Sequence, residues 1–144
     1  MEFQTFLLRI GAAFLAGFLI GLERELRHKK AGLRTNTLVA IGAAIYVLIS
    51  LSLKDTDNGA VARVIGQVVT GIGFIGAGVI IHREGDILGI TTAATIWCSA
   101  AVGCLAATGM FMELIICTSV VLFVNRGMFA IEGIIAKKNG NGEN

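Results

Sequence analysis

The chain has 144 residues, 55% hydrophobic and 15% charged, with a formal net charge of +2 and a mean hydropathy of +0.79. That balance is too apolar for an ordinary soluble domain of this size, and so small a net charge does not by itself mark a nucleic-acid binder. The charges are clumped, leaving five apolar runs at about residues 3–22, 37–53, 64–82, 88–110 and 112–135. A membrane-crossing helix needs about 20 such residues, in a range of roughly 17–25. The predicted fold class is therefore all-α, a polytopic membrane bundle of about five transmembrane helices occupying residues 1–136. The stretch 137–144 (KKNGNGEN) is expected to be a disordered polar tail.

The first run does not read as a signal peptide, because Glu2 stands where a basic n-region belongs and the apolar run is too long. It places Arg9, Ala13, Gly17 and Gly21 on one helical face. Gly17-x-x-x-Gly21 is a helix-packing motif. A mid-span arginine costs about 2.5–3.5 kcal/mol on insertion scales, so Arg9 is expected to face protein or to snorkel outward. The segment ERELRHKKAGLRT (residues 23–35) can prolong the first helix with Glu23/Arg27 and Glu25/Lys29 as i,i+4 pairs. Ala31-Gly32 turns the chain, and Thr35 or Asn36 is the expected cap of the second span. The next loop is expected to turn at Asp57-Asn58-Gly59.

The third run, RVIGQVVTGIGFIGAGVII (residues 63–81), carries Gly66, Gly71, Gly73, Gly76 and Gly78. With no proline in the chain, any break there must rely on glycine. Gly66, Thr70, Gly73 and Ala77 form one small-residue row. HREGDILG (residues 82–89) turns at Glu84-Gly85-Asp86, and the fourth run places Thr92, Thr95, Ser99, Gly103 and Ala106 on one face. The fifth is bulkier, with Asn125, Arg126 and Glu132 toward its end. From these small-residue faces, which spans two and five have less strongly, spans one, three and four are expected to form the tight core, with five at the periphery or in an oligomer interface.

Orientation follows from the cations. Arg24, Arg27, Lys29, Lys30 and Arg34 fill the first loop, Arg83 lies in the third, and Lys137 and Lys138 follow the fifth span, while the fourth loop has none. This pattern predicts the N-terminus outside and the C-terminus in the cytoplasm.

Chemistry-bearing motifs are sparse. Gly71-x-Gly73-x-x-Gly76 matches a dinucleotide fingerprint literally, but it sits mid-span and the residue 20 positions past Gly76 is Ile96 rather than an acid. No cofactor is expected. His28 and His82 lie near span ends without a nucleophile context, so no catalytic residues and no enzyme are expected. Cys98, Cys104 and Cys117 fall inside spans without CxxC spacing and read as small packing residues. No span carries an Asp or Glu near its middle, so no metal ligands are assigned. Backbone carbonyls freed by a break at residues 71–78 remain the alternative route to an ion. Arg9, Gln67 and Glu113, with Arg63, fall toward one side as either a bundle-closing ion pair or a polar pocket.

Three blocks in order carry a resemblance: GLERELRHKKAGLRTNTLVAIGAA (residues 21–44), RVIGQVVTGIGFIGAGVI (residues 63–80) and GITTAATIWCSAAVG (residues 89–103). They resemble the signature blocks of the MgtC/SapB family. The positions that match the motifs are Glu23, Arg24, Gly32, Leu33, Arg34, Thr35, Arg63, Gln67, Gly71, Gly73, Phe74, Gly76, Ala77, Gly78, Gly89, Thr91, Thr92, Ala93, Ala94 and Trp97. The resemblance implies a multi-pass protein of the bacterial inner membrane, a non-enzymatic regulator of low-magnesium adaptation and of survival inside host phagocytes. The lipid bilayer, a homo-oligomer (a dimer foremost) and another membrane protein such as ATP synthase are the implied partners. A magnesium or other cation transporter or channel is the alternative, with Mg2+ as ligand or signal. Many members continue into a cytoplasmic ACT-like domain, which is not expected here.

Overall fold

A computed structural model describes residues 1–53, 59–83 and 85–140, with side chains as far as residue 128. Five helices dominate it: α1 (Phe3–Leu26), α2 (Leu33–Ser52), α3 (Ala60–Val79), α4 (Ile90–Thr108) and α5 (Phe111–Gly140). All five contain a segment long and apolar enough to cross a membrane; in α5 that segment is Phe111–Met128. The expected all-α bundle is the observed one. We call the end that gathers Glu23–Arg34 and the α3–α4 connection the basic end, and the other the far end.

Local chemistry explains the boundaries. Helix α1 stops in a Schellman-type turn, with the amides of His28 and Lys29 bonded to the carbonyls of Glu25 (3.0 Å) and Arg24 (3.0 Å) and His28 left-handed at φ 52°. Helix α2 starts earlier than its apolar run, at Leu33. Its cap is neither Thr35 nor Asn36: the Glu25 carboxylate, reaching from α1, accepts the Leu33 amide at 3.1 Å. Glu25 thus ties the end of α1 to the start of α2, and the expected i,i+4 pair Glu23–Arg27 is present at 3.6 Å. Helix α3 is continuous from Ala60 to Val79, so its glycines do not break it. The Asp57-Asn58 turn lies outside the described residues.

A short hairpin, β1 (Ile81–Arg83) and β2 (Asp86–Leu88), joins α3 to α4 with Ile81 opposite Leu88 and Arg83 opposite Asp86. The sequence reading placed only a turn there; the β-branched and aliphatic Ile81, Ile87 and Leu88 on either side of Gly85 (φ 94°) are a hairpin signal it passed over. Gly89 (φ 94°) then starts α4, and a Cβ there would collide with the carbonyl oxygen of Val79. Helix α5 runs on to Gly140, past Lys137 where the polar tail was expected to begin. Nothing between Ile134 and Lys138 breaks a helix, and the run ends at glycine.

The core corrects the expectation about which spans pack. It is built from α1, α2 and α4: Ala13, Ile20, Ala40, Ala44, Val47, Leu48, Ile96, Val102 and Ala106 are fully or almost fully buried. Helix α2, left out of the expected core, lies at its centre. Ala40 is the pivot, because a Cβ on Gly17 would lie 2.7 Å from its Cβ, and one on Gly103 would strike its carbonyl oxygen. Gly21 meets the α2 backbone at Leu33 in the same way (2.7 Å). Helix α3, expected in the core, buries only Ile72 and Gly76, and a Cβ at Gly66, Gly71, Gly73 or Gly78 would meet open space. Between membrane helices, packing rather than water exclusion selects small residues. The glycines that permit backbone approach are those of α1 and α4.

Candidate functional site

The last turn of α1 carries Arg24, which is only 3% exposed. A buried guanidinium must place its donors, and this one places them on neutral oxygens. Nη2 donates to Thr92 Oγ1 at 2.7 Å and to the Lys30 carbonyl at 2.9 Å; Nε adds the same carbonyl at 3.3 Å, and Nη1 reaches Thr95 Oγ1 at 3.4 Å. The carboxyl-terminal dipole of α1 favours the charge, whereas the amino terminus of α4 opposes it. Two threonine hydroxyls stand between that terminus and the cation. Thr95 sends its own proton back to the Thr91 carbonyl (2.8 Å), which leaves its lone pairs to face Arg24.

Asn36, fully buried, extends the network into the α1–α2 linker. Its amide donates to the carbonyls of Ala31 and Gly32 (2.9 Å to the latter), and its Oδ1 accepts from Ser99 Oγ at 2.8 Å. Three successive linker carbonyls, at residues 30, 31 and 32, are thus each held by a buried side chain. Helix α5 joins through Asn125. Its carbonyl accepts from Arg27 Nη1 at 2.9 Å, and its Oδ1 lies 3.4 Å from Thr95 Oγ1. Arg27 also approaches Glu23 Oε1 at 3.6 Å. Buried Glu23 Oε1 and Asn125 Nδ2 have no hydrogen-bond partner among the described residues. The network ties α1, the linker, α2, α4 and α5 together at the basic end.

The structure brings Glu23, Arg24 and Thr92 together and adds the Thr91 carbonyl. Arg34 is exposed and Thr35 half-buried at the same end. Gly76 packs on Ala93, its Cβ position 3.6 Å away. Trp97 is half-exposed beside an apolar cavity of about 340 Å3 between α3 and α4. Arg63 and Gln67 sit at the far end between α2 and α3, away from Arg24. Gly71 lines a cavity between α2 and α3, and a Cβ at Gly71, Gly73 or Gly78 would meet nothing within 4 Å. The grouping of Arg9 with Gln67 and Glu113 does not form. Arg9 Nη1 donates to the Ala107 carbonyl at 2.7 Å, and its guanidinium lies over Gly109, where a Cβ would come within 3.1 Å. The last carbonyls of α4, which lack partners within the helix, offer a cation a complementary dipole at short range.

Sequence reasoning passed over Arg27, Asn36, Thr95, Ser99 and Asn125 as site residues. The available signal was an asparagine within each of two apolar helices, a costly placement in hydrocarbon unless partnered. Among the described residues, no group of three or more His, Cys, Asp or Glu side chains is placed to hold a metal ion.

Comparison with known proteins agrees with the three sequence blocks. The MgtC family profile matches residues 10–134. Protein MgtC of Brucella suis is 50% identical over 116 residues, covering 81% of this chain and 48% of the relative. Protein MgtC of Salmonella typhimurium is 45% identical over 120 residues (83% and 51%), and an uncharacterized protein of Synechocystis is 47% identical over 125 residues (87% and 53%). The chain spans about half the length of these relatives, and no solved structure matches it. The matched region contains the buried arginine network, all of α2 and α4 and most of α1, and the chain belongs to the MgtC family.

Proposed function

We propose that this is a non-enzymatic regulator in the bacterial inner membrane, tied to low-magnesium adaptation and to survival inside host cells, that acts by docking on membrane proteins. The observation that carries this reading is the outer face of α3. Gly66, Thr70, Gly73 and Ala77 form a row at helical spacing; Gly66 and Gly73 face open space, and the neighbouring Phe74 is 88% exposed. Small residues on a lipid-facing helix cost helix propensity, and close approach by another helix is what they offer in return. A second copy of the chain, forming a dimer, or a larger complex such as ATP synthase would supply that helix. The test is recovery from mild detergent: wild type retains a specific partner or a dimer, and Gly73→Leu loses it. A chain that stays alone in several detergents sinks the reading.

Transport of magnesium or another cation is the second reading, supported by Gln67, whose amide faces the cleft between α2 and α3. Purified protein in liposomes should then pass ions in a Gln67-dependent way, and tight vesicles would argue against it.

A further inference from the structure

Helices α2 and α3 leave between them a groove open to the outside of the bundle. It consists of two cavities of about 600 and 350 Å3 that share Tyr46, Val64 and Gln67. Gly42 and Gly71, one from each helix, keep the first cavity wide, since a Cβ on either meets nothing within 4 Å. From Ile75 to Arg63 the groove follows α3 for about 18 Å at 1.5 Å per residue. One leaflet of hydrocarbon is about 15 Å deep, half of a core of about 30 Å.

Polarity changes along that length. The Gly71–Ile75 section is apolar, whereas the far end presents Gln67, Ser50 and Arg63. Ser50 is 7% exposed, and its hydroxyl, like the Gln67 amide, has no hydrogen-bond partner among the described residues. Such groups at membrane depth are costly without a partner. We propose that the α2–α3 groove is a binding site for one glycerophospholipid, with an acyl chain along Gly71–Ile75, ester carbonyls at Gln67 and Ser50, and the phosphate at Arg63. The chemistry matches position by position: amide and hydroxyl donors meet carbonyl acceptors, and a guanidinium meets a phosphate. A transmembrane helix fits less well, because its backbone groups are bonded internally and would leave Ser50 and Gln67 unsatisfied. The Gly66–Gly73 row lies outside this groove, so the site stands or falls separately from the docking face proposed above.

The test is native mass spectrometry of the delipidated full chain in detergent, titrated with palmitoyl-oleoyl phosphatidylglycerol and, in parallel, with the matching diacylglycerol. One phosphatidylglycerol should bind per chain at saturation, with diacylglycerol about tenfold weaker. Arg63→Gln and Gln67→Leu should each weaken the phospholipid about tenfold, the loss of one strong hydrogen-bonding group. Gly71→Leu should abolish binding by filling the groove, and Gly66→Leu should leave it unchanged. Equal binding by all variants, or equal binding of both lipids, overturns the proposal. So does a second polypeptide that is retained in place of lipid and released by Gly71→Leu. If Gly71→Leu does not fold, the Gln67→Leu and Arg63→Gln titrations decide.

Discussion

At the scale of single residues, two arginines show opposite solutions to the same cost. Arg9 spends its charge on the carbonyl end of α4, at the rim of the bundle. Arg24 is buried, and every hydrogen bond it makes among the described residues ends on a neutral oxygen. Removing it strands the Lys30 carbonyl and frees the Thr92 and Thr95 hydroxyls inside the protein. Hydrogen bonds to charged groups are worth about 1.5–3 kcal/mol, and stranded buried partners add to the loss. Arg24→Met keeps most of the volume and should therefore destabilise the chain by about 3 kcal/mol, read as a lowered thermal midpoint in detergent. Arg9→Met, which removes one hydrogen bond at the rim, should cost less than half as much. Equal losses would show that the network does not act as described.

At the scale of elements, the glycines divide by what stands in front of them rather than by how densely they occur. Gly103 faces the Ala40 carbonyl, and Gly73 faces open space. Gly103→Ala should thus force α2 and α4 apart at a cost of about 1–3 kcal/mol. Gly73→Ala should leave the monomer as stable or up to about 1 kcal/mol more so, because alanine is the better helix former. Thermal unfolding of the two purified variants checks the contrast, and a loss at Gly73 would place that glycine inside a packed seam. The faces were legible in the sequence: Ala13–Gly17–Gly21 on α1 and Thr92–Thr95–Ser99–Gly103 on α4 are buried as their spacing required. Their pairing was not. A small face states that something comes close but not which helix does, and a glycine-rich row reads the same whether it meets a neighbour within the chain or one outside it. The site was half legible for a similar reason. Glu23, Arg24 and Thr92 stand out by charge and motif, whereas Asn36 and Asn125 matter only because the fold brings the linker and α5 onto α4.

At the scale of the whole molecule, the bundle has a direction that its charges reveal. Arg24, Arg27, Lys29, Lys30, Arg34, His82, Arg83 and Arg126 all fall at the end where α1 finishes and α4 begins. Arg24 is consumed by the interior. Arg34, Arg83 and Arg126 are exposed there. Each cation near an anionic cytoplasmic surface is worth about 1 kcal/mol, and translocating a basic loop of this density is disfavoured. The basic end is accordingly expected to face the cytoplasm, with Glu2 and the α4–α5 turn on the other side. Single-cysteine chains test this in intact cells once Cys98, Cys104 and Cys117 are replaced. A membrane-impermeant maleimide should label Glu2→Cys from outside and should label Lys29→Cys only after the membrane is opened. The reverse pattern would invert the bundle, move the basic end to the outside, and place the polar end of the α2–α3 groove in the cytoplasmic leaflet.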